Sequence, residues 1–184
     1  MVSCWSGKPH IHGCHGATTL EAYKYLTSEG IPNDSCYPYS SGKTRTENPC
    51  HDKCIDGTPI PHYKCQQDST AKFYNLNLNK TEAARIKTEI YHNGPVYVSM
   101  KSYDDLHLYK GGVWRNYDGK LRGGHAVKLL GWGVDEKEGE YWICANSWGV
   151  GWGEDGFFRV SVEQLDFGYA AGACLPDVES LAIA

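Results

Sequence analysis

The break at Asn93-Gly94-Pro95 constrains this chain more than any other feature, because it divides two textures of sequence. Before it, apolar residues recur at helical spacing. Leu20, Ala22, Tyr23, Tyr25 and Leu26 predict a short amphipathic helix over Thr18 to Ser28, with Gly30 and Pro32 as stop signals. Asn79-Lys80-Thr81-Glu82 reads as a capping box that opens a second helix, with Ile86, Ile90 and Tyr91 as its apolar face. After the break come Val96 to Met100, Gly111 to Trp114, Ala126 to Trp132, Tyr141 to Ala145 and Gly156 to Val160. These short β-branched and aromatic runs, bounded by turn residues, predict strands of an antiparallel sheet. Helices first and strands afterwards argue for an α+β fold rather than alternating α/β.

Between the two helices, Pro32 to Gln67 holds five of the 8 prolines and four of the 8 cysteines. That composition predicts a long surface loop without regular elements, held by covalent staples. Eight cysteines in 184 residues suggest disulfides and an oxidising compartment. Yet Met1-Val2-Ser3-Cys4-Trp5 lacks the basic start and apolar run of a secretory signal. Either Met1 lies inside a longer protein, or the chain is cytoplasmic and its thiols stay reduced. A formal net charge of -4 offers no basic footprint for nucleic acid. No apolar run nears the roughly 18 residues of a membrane span, so neither nucleic acid nor membrane is expected as a partner.

The chemistry is concentrated in Gly123-Gly124-His125-Ala126-Val127, in Ala145-Asn146-Ser147-Trp148-Gly149 and in Gly151-Trp152-Gly153-Glu154-Asp155-Gly156. A strand from Ala126 onward would hold the His125 ring rigidly. Asn146, 21 residues later and beyond a hairpin turn near Asp135 to Gly139, can return beside it. An amide oxygen that accepts the imidazole N–H fixes the tautomer, as the base in Cys-His nucleophilic catalysis requires. Trp148 can cover that hydrogen bond and keep water from competing for it.

These segments, together with Gly13-Cys14-His15-Gly16 before a helix and Gly172-Ala173-Cys174-Leu175-Pro176 near the end, resemble the papain family of cysteine peptidases. Cys36-Tyr37-Pro38-Tyr39-Ser40 and Cys50-His51-Asp52-Lys53-Cys54 resemble its cathepsin B-like branch. The resemblance implies a two-lobed fold, with residues 1–75 as an incomplete helical left lobe with its Cys-rich loop and residues 76–184 mainly as a β-barrel-like right lobe. It makes His125 the general base, Asn146 its orienter and Trp148 a shielding ring. Gly16 and Gly124 fall at substrate-contacting positions. It implies disulfides Cys4 to Cys50 and Cys36 to Cys54, leaves Cys14 without its usual partner, and offers none for Cys65, Cys144 or Cys174. Cys144, in an apolar strand, reads as a buried free thiol.

The family's nucleophile lies in Q-x-x-x-C-G-S-C-W, and no such segment occurs in these 184 residues. The nucleophile stands roughly 130–150 residues before the His and Asn, a spacing that does not exclude Cys4. Ser3-Cys4-Trp5-Ser6 imitates the nucleophile core, but Gly7-Lys8-Pro9 is poor helix sequence. Cys4 is therefore a structural half-cystine by resemblance, or else a displaced nucleophile.

Two functional readings follow: a cathepsin B-like endopeptidase domain whose His125 and Asn146 await a thiolate, inactive as written, or a non-catalytic binding or structural component. The expected partners are a peptide or protein substrate in the first case. In the second, a protein covers an exposed lobe interface. A single histidine, His51, between Tyr39 and Cys54 argues against carboxydipeptidase activity, for which relatives use two adjacent histidines. The absence of Asp and Glu from Phe167 to Pro176 favours apolar side chains in the S2 subsite. The cluster Cys4, His10, His12, Cys14, His15 matches no zinc spacing, so no metal or other cofactor is expected. His62, His92 and His107 read as surface residues. The family implies a lysosomal, vacuolar or extracellular location, or a cytoplasmic one if Met1 is the true start.

Overall fold

The structure is a computed structural model that describes residues 3–4, 13–77, 79–164 and 166–177. The chain forms two compact units, residues 1–70 with 174–184, and residues 71–173.

The first unit contains a 3-10 turn at Gly13–His15 and helix α1 (Thr19–Ser28). Thr18 and Glu21 form a reciprocal capping box on α1. No α1 residue is fully buried and Leu20 is exposed, so the predicted apolar stripe is only partly covered. The loop that follows contains one regular element missed by its polar sequence, the four-residue helix α2 (Ser41–Thr44). Buried Ser41 lies at its start, and Arg45 caps it in a left-handed conformation. Disulfides Cys4–Cys50 and Cys36–Cys54 cross this loop. A third, Cys65–Cys174, gives partners to two cysteines that the sequence left unassigned. It joins the two stretches that flank the second unit.

The second unit is built on strands β1 (Ala71–Tyr74), β2 (Val96–Tyr103), β3 (Val113–Trp114), β4 (Leu121–Asp135), β5 (Gly139–Ala145), β6 (Phe157–Ser161) and β7 (Phe167–Ala173). They form one sheet in the order β1-β7-β2-β4-β5-β6-β3. All neighbours are antiparallel except β3 and β6, a short parallel pair that corrects the wholly antiparallel expectation. Where the β2–β7 register breaks between Val98 and Met100, the Ser99 hydroxyl donates to the Ala170 carbonyl at 2.8 Å and accepts the Ala170 N–H at 2.9 Å. The side chain thus satisfies backbone groups that the ladder leaves over.

Helix α3 (Lys80–Asn93) packs on this sheet, with the Asn79 side chain accepting the N–H groups of Thr81 and Glu82 at its start. Ile86 is fully buried, and Ala83 and Ile90 pack beside it. Tyr91, expected on this face, is 79% exposed. It lies five residues beyond Ile86, about 140° round the helix, and so points away. A four-residue helix, α4 (Asp104–His107), follows β2 directly.

The core follows the two-residue period of the strands. Val96, Val98 and Met100 of β2 stand opposite Leu129, Val127 and His125 of β4. Leu129 in turn pairs with Cys144 of β5. Val98, Met100, Leu129, Trp142, Cys144, Phe158 and Val160 are all completely buried. No described helix is long and apolar enough to cross a membrane.

Candidate active site

The inward rows of β4 and β5 place the two polar residues singled out by sequence. On β4 the row runs Leu129, Val127, His125, and on β5 it runs Trp142, Cys144, Asn146, the last residue lying just beyond the strand. The pair Lys128 with Ala145 fixes the register. Continued by one residue, it sets Asn146 opposite Val127 and makes His125 the diagonal neighbour, within reach of a planar side chain. His125 sits inside β4, which begins at Leu121 rather than at the expected Ala126. Fully buried Met100 lies directly across from it. The register slips between Ser102 and Tyr103, opposite Gly123, whose φ of +143° suits glycine far better than an L side chain.

The His125 Nε2 atom and the Asn146 Oδ1 atom are 2.8 Å apart. The same oxygen accepts the backbone N–H of Ser147 at 2.8 Å, and that donor sets the orientation of the amide. Turned the other way, the amide nitrogen would meet the Ser147 N–H, donor against donor. With oxygen facing the ring, Nε2 carries the proton and Nδ1 of the neutral imidazole is the acceptor. Burial holds the His125 ring below the usual histidine range, the Asn146 hydrogen bond pulls it back up, and charge on His107 pushes it down again. This arrangement favours a neutral ring whose basic nitrogen is Nδ1.

Trp148 stacks on the His125 ring, with centroids 4.9 Å apart and planes at 25°. It stands in a turn stitched by its own backbone: Asn146 N–H donates to Gly156, Trp152 to Gly149 and Gly156 to Trp152. Trp152 is buried in this turn and meets Trp148 edge-on at 5.0 Å, with Tyr109 and Phe158 on its other sides. Arg159 clasps both carboxylate oxygens of Glu154, which also accepts the Gly112 N–H at 3.1 Å. This clasp ties the turn to the loop before β3.

Sequence reasoning missed one participant. His107 is an exposed residue of α4, as expected, but its imidazole stacks on Trp148 at 4.3 Å with planes only 10° apart. Nothing in a lone His within Asp104-Asp105-Leu106-His107 signals that contact. His62 is exposed, with Nδ1 2.9 Å from the Glu29 carbonyl, and His92 is exposed with its ring edge-on to Tyr91. Gly124 lies on β4, where a Cβ would meet only the Tyr169 hydroxyl, at 3.7 Å. A Cβ at Gly16, in the first unit, would meet nothing within 4 Å among the described residues.

The cysteines divide clearly. Cys4 is bonded to Cys50, so in this structure it has no free thiol. Cys144 is fully buried among apolar side chains, and burial pushes its thiol far up. Cys14 is free and exposed. Among the described residues no group of three or more His, Cys, Asp or Glu could hold a metal ion, while His10 and His12 lie outside those residues.

Comparison with known proteins identifies the family. Residues 1–176 match the model of the papain family cysteine proteases. The chain is 37% identical over 161 residues to "Cathepsin B-like CP3" of Giardia intestinalis, covering 87% of this chain and 50% of that protein. It is 38% identical over 172 residues to "Cathepsin B-like cysteine proteinase 3" of Caenorhabditis elegans, covering 87% and 46% respectively. It thus spans about half the length of the curated relatives it matches. Among solved structures, procathepsin B S9 from Trypanosoma congolense superposes with a TM-score of 0.80 at 30% identity, over 96% of this chain and 58% of that one. The fold is α+β and papain-like, and the chain belongs to the cathepsin B-like branch of the papain family of cysteine proteases.

Proposed function

We propose that this chain carries the base-and-orienter half of a peptide-bond hydrolysing site, and that the 184 residues alone are catalytically silent. The observation that supports this most directly is the His125–Asn146 hydrogen bond beneath Trp148. In Cys-His chemistry the imidazole takes the thiol proton, the thiolate attacks the peptide carbonyl, and the imidazolium returns the proton to the leaving amine. His125 fills that role with Nδ1, Asn146 keeps Nε2 protonated throughout, and Trp148 excludes water from their bond. Gly124 is the proposed backbone contact of this unit for a peptide or protein substrate, with apolar side chains preferred and no carboxydipeptidase action.

The missing member is the thiolate. Six cysteines are bonded in pairs, Cys144 is buried, and Cys14 stands in a Gly-Cys-His-Gly segment that resembles a half-cystine site of the family. We test the proposal by intact-mass spectrometry after treatment with an epoxide directed at papain-type thiolates, beside a fluorogenic peptide assay. No adduct and no turnover are expected from the 184-residue chain. Fusing the nucleophile-bearing segment of a cathepsin B-like relative ahead of Met1 is expected to confer turnover that His125→Ala removes. Turnover by the unfused chain, with an adduct on Cys14 or Cys4, overturns catalytic silence. A folded fusion that stays inactive favours the other reading, a binding or structural component.

A further inference from the structure

We propose that His107 is a positioning residue for His125, bracing Trp148 in its stack and placing a second imidazole on the indole that covers the base. The inference rests on the reading of His125 as the base, and it deepens that reading by adding a residue that touches neither Asn146 nor the reacting atoms.

The geometry carries the argument. Trp148 belongs to a loop, and its indole is only half-buried, so the strand that fixes His125 does not fix the ring that shields it. Among the described residues, three rings hold the indole: His125 and His107 by stacking, and Trp152 edge-on. Of the two stacked contacts, the one with His107 is closer and more nearly parallel. An imidazole in that position contributes dispersion when neutral and a cation–π attraction when protonated, so it holds the indole in either state.

Its charge also reaches His125. Among the described residues, the titratable groups that line the surface groove with His107 are Asp104 and Asp105 of α4, Tyr117 and Asp118 of the loop after β3, and Arg122 of β4. Arg122 already faces Asp104, 3.4 Å away. On the other side of the indole's contacts, His125 is bordered by the neutral Met100 and Asn146. The charge of His107 is what lowers the His125 proton affinity electrostatically, in addition to burial. Positive charge at His107 therefore opposes the imidazolium that a thiolate–imidazolium pair needs.

The test uses the 184-residue chain and reads protonation rather than turnover. Imidazole resonances of His125 are followed by NMR through a pH titration in the parent chain, in His107→Gln and in His107→Ala, with near-UV circular dichroism confirming the fold. Because His107 is exposed on a short surface helix, at least the glutamine variant is expected to retain its structure. Both variants are expected to titrate His125 at higher pH than the parent. His107→Ala is expected in addition to move the Trp148 indole resonances, since alanine offers no planar group to stack on. His125 titrating at the parental pH in both variants overturns the charge coupling, and unmoved Trp148 resonances in His107→Ala overturn the bracing. Peptide hydrolysis by the unmodified chain would overturn the proposed function while leaving either NMR result intact.

Discussion

Replacing Asn146 with alanine isolates the interaction on which the site is built. The amide oxygen accepts two hydrogen bonds, from His125 Nε2 and from the Ser147 N–H, each 2.8 Å long. A net 0.5–1.5 kcal/mol for each gives a loss of about 1–3 kcal/mol, and a midpoint of thermal unfolding lower by about 2–12 °C. Tryptophan emission is the right probe, because Trp114, Trp132, Trp142, Trp148 and Trp152 all lie in the unit spanning residues 71–173. The second readout is the titration of His125. Its bond to Asn146 raises its proton affinity against the effect of burial, so Asn146→Ala is expected to lower the pH at which the ring charges. A double-mutant cycle with His125→Ala separates the side chain's bond to the ring from its bond to Ser147. The expected coupling is about 0.5–1.5 kcal/mol, the net value of one such bond. Additive losses, with a His125 titration that stays in place or moves upward, would refute the claim that Asn146 orients the base.

Three further perturbations probe the frame around that bond. Because burial depresses His125 in the folded chain, the unfolded chain binds its proton more readily once the pH falls below about 6.5, and stability drains away until the folded ring also charges. His125→Gln is expected to lose less stability than the parent between about pH 8 and about pH 5, as measured by urea midpoints. The Cys65–Cys174 disulfide spans 109 residues, and replacing both cysteines with alanine is expected to cost about 2–5 kcal/mol in urea unfolding under oxidising conditions. Gly153 has a φ of +62°, and a Cβ there would stand 2.5 Å from the Phe157 carbonyl oxygen. Gly153→Ala is expected to destabilise the Trp152 turn by about 1–3 kcal/mol, seen as a lower melting temperature with altered near-UV tryptophan signals.

The parts of the fold that were legible in sequence are those in which local chemistry and tertiary placement agree. Asn79 caps a helix wherever that helix packs, and the run from Tyr141 to Ala145 reads as a strand because its β-branched and aromatic residues suit a pleated, buried surface. Phe167–Ala173 is illegible as a strand for the opposite reason. Phe-Gly-Tyr-Ala-Ala-Gly-Ala has little intrinsic strand preference, and it becomes β7 through pairing with β1 and β2, partners distant in sequence. Cys65–Cys174 was illegible for a related reason, since spacing alone does not determine connectivity. His125 and Asn146 could be found because a motif names them and a hairpin joins them. His107 reaches the same place by a different route, through α4, and only the folded chain brings its ring to Trp148.

The same contrast bears on how the site divides rigidity among its members. His125 continues a row of buried residues along β4, with Met100 opposite, so its position is set by the sheet. Asn146 lies one residue past β5, where its backbone N–H is already committed to Gly156 and its side-chain oxygen to Ser147 and His125. Trp148 is two residues further on, beyond the ladder, and is held by ring contacts. Order therefore falls along this short stretch from strand to cap to loop. The base of the proposed mechanism needs a fixed tautomer and direction, which the first two positions supply. In that mechanism the shield also admits the leaving group, and a ring held by stacking can yield by small amounts where a strand residue cannot. Removing a stacking partner such as His107 should thus loosen the shield while leaving the His125–Asn146 bond in place, whereas removing Asn146 releases the base while leaving the three-ring grip on Trp148.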